Sequence, residues 1–264
     1  ALQEMTGVPG MAAAVWRDGE IIWTGEAGAQ DAAGAIPVNE DTTFRLASVS
    51  KVFAATAAAR LAAEGKLDLD APVGLLVDGL NPDWPAITPR QLAAHISGMP
   101  HYQAIDENRG GRRFASVKES LGVFASRDLL FAPGTSYNYS SYGFTLLSAA
   151  VEAAAGEPYL DYIGGALTAG LDIGPDRTGT GDPLASEAFD YRGGALAPSE
   201  PHDYSYSWGG AGLSGSARDV ALFGGRVLSG DILAPDAFRS MITPAKLNNG
   251  EDVSERDYKL GLGW

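Results

Sequence analysis

The 264-residue chain contains no cysteine, which excludes disulfides, thiolate nucleophiles and Cys-ligated zinc. Positive charge is also scarce. Nineteen lysines and arginines face 33 acidic residues, giving a net charge of -14. That balance argues against a nucleic-acid partner or an anionic membrane surface. No apolar run reaches the length needed to cross a bilayer, so no transmembrane segment is expected. Histidine is limited to His95, His101 and His202. The carboxylates of Asp68, Asp70, Asp203 and Asp219 lack the spacing of a metal loop. Asp219 reads instead as a helix-start carboxylate. Neither a metal nor a cofactor is expected. The missing cysteine and the Ala- and Gly-rich composition suit an exported bacterial protein, periplasmic or secreted, with the cytoplasm as the alternative.

What is present is a short β beginning followed by a long helical stretch. Val8 to Trp16 reads as a strand, Arg17-Asp18-Gly19-Glu20 as a tight turn and Ile21 to Ala27 as the returning strand. From Ser48 the pattern turns helical, with Val52, Ala55, Ala59 and Leu61 near one face and Gly65 at the C-terminal end. Thr88-Pro89 has helix-start chemistry, and Ser116-Val117-Lys118-Glu119 reads as a capping box. Gly143 to Ala155 forms another apolar helix closed by Gly156, and Ser216 and Pro235 open two more. Tyr258 to Trp264 reads as a strand beginning again.

Two elements carry chemistry. Ser48-Val49-Ser50-Lys51 is an S-x-x-K element, which on a helix puts the lysine one turn from the serine and on the same face. A serine hydroxyl needs a neighbouring base, and a lysine becomes one when burial lowers its affinity for a proton. Alone the element is weak, because an N-cap serine and a solvated lysine fit it equally well. Ser50 is the local competitor. Tyr139-Ser140-Ser141 is the second element, and a tyrosine hydroxyl close to a lysine, partly phenolate, is suited to shuttling a proton.

Ordered blocks resemble the serine β-lactamase and penicillin-binding protein superfamily. They are Val8-Pro9-Gly10-Met11, Thr43 to Lys51, Glu64-Gly65-Lys66-Leu67-Asp68-Leu69-Asp70, Ile87-Thr88 with His95-Ile96-Ser97-Gly98-Met99-Pro100, and Pro133-Gly134 through Leu147. They are most similar to the branch of class C β-lactamases, family VIII esterases and S12 peptidases. His101-Tyr102, Tyr159 to Tyr162 and Ser205 to Ser214 are closest to LACTB-type serine proteases. The resemblance implies an α+β fold of the β-lactamase/transpeptidase type, an antiparallel sheet flanked by helices plus a large, mostly helical lobe. It divides the chain into the start of the α/β lobe (1–50), the helical lobe (51–257) and the return to the α/β lobe (258–264).

The same resemblance implies Ser48 as acylated nucleophile, Lys51 and Tyr139 as its proton carriers, and the Ser48 backbone N–H as an oxyanion donor. It gives His95 a structural hydrogen-bonding role and Ser141 a substrate-binding one. Ser141 stands where β-lactamases often have asparagine, which fits a peptidase or esterase better than a β-lactamase. A Lys-Thr-Gly or His-x-Gly third motif is absent, and Trp208-Gly209-Gly210, out of place for it, reads as structural. Residues are therefore expected beyond both ends, including a C-terminal segment that completes the sheet and carries that motif. The leading expectation is a peptidase or amidase acting on a small peptide or ester through an acyl-enzyme. A carboxylesterase, a D-Ala-D-Ala-type peptidase or a β-lactamase is the alternative within that class, and a non-catalytic scaffold or sensor the alternative outside it.

Overall fold

A computed structural model describes residues 2–102, 112–193, 195–200 and 202–264. After a short helix α1 (Leu2–Thr6), strands β1 (Gly10–Arg17) and β2 (Glu20–Gly28) form the expected hairpin. The hairpin turn places Asp18 at φ 52° and Gly19 at φ 100°, the left-handed pair that Asp-Gly adopts at little cost. The hairpin's inner face packs on helix α8 (Ala217–Ser229). Gly225 makes that contact possible, since a Cβ there would sit 2.3 Å from the Trp16 indole.

A second sheet positions the candidate site. Strands β3 (Thr43–Arg45), β4 (Ile173–Pro175) and β7 (Leu213–Ser216) pair antiparallel in the order β3-β7-β4. The β3–β7 register, Thr43 with Ser216 and Arg45 with Ser214, continues as Leu46 N–H donates to the Leu213 carbonyl. The chain leaving β3 therefore runs beside the chain entering β7. The first becomes a 3-10 turn (Ala47–Val49) and then helix α2 (Ser50–Ala63). The second is the short helix α7 (Trp208–Ala211). The Ser50 hydroxyl accepts from Leu213 N–H at 3.1 Å and ties the two together.

The core is centred on α2 and α5 (Ser141–Ala155), which pack on each other and bury Phe53, Ala54, Ala57, Tyr142, Phe144 and Leu147. Around them lie α3 (Pro89–Ala93), α4 (Val117–Leu121), α6 (Tyr159–Tyr162) and α9 (Pro235–Ile242). Most of the sequence's stop and start signals operate as read. Thr88 and Gln91 form a full capping box, Ser116 and Ser216 accept from the N3 amides, and Gly156 ends α5 at φ 76°. The box expected at Ser116 to Glu119 is half formed, because the Glu119 carboxylate accepts from Ala115 N–H instead of Ser116 N–H. Two further hairpins, β5–β6 (Phe189–Arg192 with Ala195–Pro198) and β8–β9 (Ser254–Glu255 with Tyr258–Lys259), supply the remaining strands among the described residues. The strand expected from Tyr258 to Trp264 is paired only at Tyr258–Lys259. Leu262 N–H then bonds the Met241 carbonyl, and Gly263 at φ 75° turns Trp264 toward α2, so that segment packs instead of pairing. Among the described residues no helix is long and apolar enough to cross a membrane.

The segment His95 to Gly98 is a backbone rail for the chain leading to Tyr139. Its carbonyls accept from Leu130, Gly134 and Asn138. Gly98 sits at φ 80°, and a Cβ there would lie 2.2 Å from the Phe131 carbonyl oxygen. Left-handed strain plus a clash with backbone predicts that Gly98→Ala lowers unfolding free energy by ~2–4 kcal/mol, measured by urea denaturation.

Candidate active site

Ser48, Lys51 and Tyr139 meet at one end of α2. Ser48 lies in the 3-10 turn, its exposed side chain facing a cleft of about 190 Å³ lined also by His95, Tyr137, Glu255, Leu260 and Trp264. Ala47, just before it, is held at φ 45°, a left-handed conformation that a residue with a Cβ seldom adopts. Lys51 follows one turn later and is 4% exposed. Its Nζ lies 3.2 Å from Ser48 Oγ, 3.0 Å from Ser141 Oγ and 2.6 Å from the Gly210 carbonyl oxygen. The Tyr139 hydroxyl lies 2.7 Å from Ser48 Oγ on the other side.

The donor count in this cluster is informative. The Gly210 carbonyl only accepts, so Lys51 must donate to it. A neutral lysine retains a second N–H for Ser141 Oγ and a lone pair for the Ser48 hydroxyl proton. Burial strips water from the ammonium and brings Lys51 down to about 7, so the neutral form is well populated near neutrality. Burial has the opposite effect on Tyr139. It raises the phenol, aided by the Glu255 carboxylate and opposed by the bond to Ser48. The tyrosine is thus held as a proton donor and not as the partial phenolate expected from a nearby lysine.

Two imidazoles hold the tyrosine segment. His95 Nδ1 accepts from Ser140 N–H and His101 Nδ1 accepts from Ser141 N–H, both at 3.1 Å. The His95 ring lies against Tyr139 with centroids 4.5 Å apart. Burial, then the charges of Lys51 and His101, pushes His95 down to about 3, so it serves as a neutral acceptor. This is the structural hydrogen-bonding role expected of it. His202 is elsewhere, beside Tyr204 and Tyr206. Ser141 starts α5, is 1% exposed and bonds Lys51 from within the protein, apart from the residues lining the cleft. Ser50, the rival hydroxyl, is buried against β7. Asp68, Asp203 and Asp219 accept backbone N–H groups, and Asp70 pairs with Arg90.

Sequence reasoning missed the Gly210 carbonyl, Tyr137 and Glu255. The Gly209-Gly210 doublet is the signal for the first, because a glycine pair entering a strand marks close backbone approach. A Cβ at Gly210 would lie 2.9 Å from the Ser141 carbonyl oxygen, and one at Gly209 would lie 2.8 Å from that of Phe144. The doublet lets α7 press onto α5 and aim a carbonyl at Lys51.

This constellation on this fold is that of a serine β-lactamase-like protein, and the chain belongs to the beta-lactamase family, whose model, described as "Beta-lactamase", matches residues 1–264. The chain is similar to the human "Serine beta-lactamase-like protein LACTB, mitochondrial", at 25% identity over 100% of this chain and 63% of the relative. It is 32% identical to "Esterase EstB" of Burkholderia gladioli over 80% of this chain and 63% of that protein. The octameric penicillin-binding protein homologue from Pyrococcus abyssi superposes with a TM-score of 0.80 at 22% identity, covering 99% of this chain and 61% of that one. That last likeness is one of fold. The chain thus spans 63% of the length of each of these two curated relatives. These relatives include an animal mitochondrial protein and a bacterial esterase, so they do not support the exported bacterial origin expected from composition over any other.

An NMR titration of selectively labelled lysine should show Lys51 losing its proton near pH 7, far below the range of an exposed lysine. A midpoint above 9 would contradict the dry, donor-saturated pocket described here.

Proposed function

We propose that the protein is a serine hydrolase that cleaves an amide or ester through an acyl-enzyme on Ser48. The observation that carries this reading is the pair of contacts on one oxygen, Lys51 Nζ at 3.2 Å and the Tyr139 hydroxyl at 2.7 Å. Neutral Lys51 takes the Ser48 proton as Oγ attacks the carbonyl carbon. Tyr139 donates its proton to the departing amine or alcohol and is reprotonated from Lys51. Water then attacks the acyl carbon, giving a proton back through the same pair, and Ser48 is released. The backbone N–H of Ser48 lies in the first turn of a helical segment, where amides lack intrahelical acceptors, which supports its use as an oxyanion donor.

A peptide or amino-acid amide is the preferred substrate class in this reading. The likeness to EstB favours an ester as the second. A buried Ser141 bonded to Lys51, where β-lactamases often carry asparagine, supports neither a β-lactam nor a grip on a substrate amide from that position. The reading includes a further segment that adds strands beside β1–β2 and brings a Lys-Thr-Gly or His-x-Gly motif to the cleft. The exposed cross-strand pair Val15 and Trp23, at 43% and 54% exposure, gives such a segment an apolar surface.

Ser48→Ala should reduce hydrolysis of short peptides or p-nitrophenyl esters about 10³-fold or more, with the thermal midpoint unchanged. Tyr139→Phe should lower kcat by roughly 10²-fold with little change in KM. Because neutral Lys51 is the base, kcat/KM should rise with pH through an inflection near 7, about tenfold per unit below it. Steady-state kinetics and labelling by a fluorophosphonate check all three. Full activity in Ser48→Ala removes the nucleophile from the mechanism, and a native protein that is never labelled supports the scaffold or sensor reading instead.

A further inference from the structure

The cleft contains a carboxylate that the proposed chemistry does not use. Glu255 is the only acidic residue among the described residues lining it, and Lys51 is the only lysine or arginine. Glu255 is presented by the β8–β9 hairpin, anchored by the fully buried Val253 and turned by Arg256 at φ 54°. The Tyr137 hydroxyl donates to its Oε2 at 2.8 Å. Among the described residues no ion pair involves Glu255, and Oε1 has no hydrogen-bond partner. Its charge reaches the reacting groups, for it acts on the Tyr139 phenol that is bonded to Ser48.

Glu255 is exposed, so water solvates its free oxygen until a ligand arrives, and a carboxylate fixed by a phenol at the edge of the cleft is a ready partner for a ligand's ammonium group. Lys51 does not pair with the carboxylate, since its Nζ is turned inward to Ser48, Ser141 and Gly210. When Lys51 is neutral the cleft carries the net negative charge of Glu255, inside a chain whose total charge is -14. Both fields draw a cationic ligand toward Ser48. We infer that Glu255 is a specificity residue that selects substrates bearing an ammonium group next to the scissile bond, as in an amino-acid amide or a peptide with a free amino terminus. Tyr137 is its positioning residue and fixes the carboxylate without neutralising it.

This inference rests on Ser48 being the reactive group, and the test separates the two. Ser48 is labelled with an uncharged fluorophosphonate at neutral pH, in competition with alaninamide, which is cationic, or N-acetylalaninamide, which is neutral, each as D and L forms. In the native protein at least one enantiomer of alaninamide should protect Ser48 at a concentration about tenfold or more below that of its acetylated form. Glu255→Gln keeps an oxygen for Tyr137 to bond, so the hairpin contact survives while the charge is lost. In that variant the difference should shrink to about twofold or less. Equal protection by the two amides in the native protein, or a difference that Glu255→Gln leaves intact, overturns the inference while leaving the nucleophile in place. Absence of Ser48 labelling in the native protein strikes down the hydrolase reading, and this inference with it.

Discussion

The whole site depends on taking one ammonium out of water. Lys51 lies in the seam where α2, α5 and α7 converge, and three oxygens surround its Nζ. Desolvation alone would tend to expel such a group or leave it poorly ordered. Here the Gly210 carbonyl and the Ser141 hydroxyl give its protons fixed partners, so the lysine is both dry and oriented. A base that is weakly proton-loving yet fixed in direction is what a serine hydroxyl requires, and the same burial that frees its lone pair keeps Tyr139 protonated. One low-dielectric seam thus pushes a cationic acid and a neutral acid in opposite directions, which is the division of labour that the proposed mechanism uses.

Most of the surrounding fold serves that seam. The β3–β7 register brings the turn carrying Ser48 beside the short helix carrying Gly210. The glycine doublet closes the remaining gap, and the two histidines lock the tyrosine segment by accepting consecutive backbone amides. His95 does so deep in the protein, where charging it is disfavoured. Its affinity for protons is lower in the folded state than in the unfolded chain. Folding stability from this residue is therefore complete above about pH 6.5 and fades as the pH falls toward about 3.

Local signals in the sequence were strong wherever a single residue type has a single backbone use. Asp18-Gly19 marked the hairpin, Thr88, Ser116 and Ser216 marked helix starts, and Gly156 marked a helix end. That Ser48, Lys51 and Tyr139 meet was legible because a serine and lysine one turn apart imply a shared face, and the family likeness supplied the distant tyrosine. The remainder depends on tertiary geometry. No pattern in Trp208-Gly209-Gly210 states which side chain its carbonyl will meet, and Tyr258 to Trp264 alternates like a strand although its backbone is needed for packing. Glu255 is inconspicuous in the sequence because its meaning comes from a hairpin that folds it across the cleft from residues more than a hundred positions earlier.

Ala47 occupies a left-handed conformation immediately before Ser48, at a cost on the order of 1–2 kcal/mol that glycine would avoid. A methyl-bearing residue has few escape routes from that well once the flanking sheet and helix are formed. The strain therefore works as a detent for the backbone: it holds the peptide leading into Ser48 at one bearing, exchanging a little global stability for a fixed point from which that side chain projects.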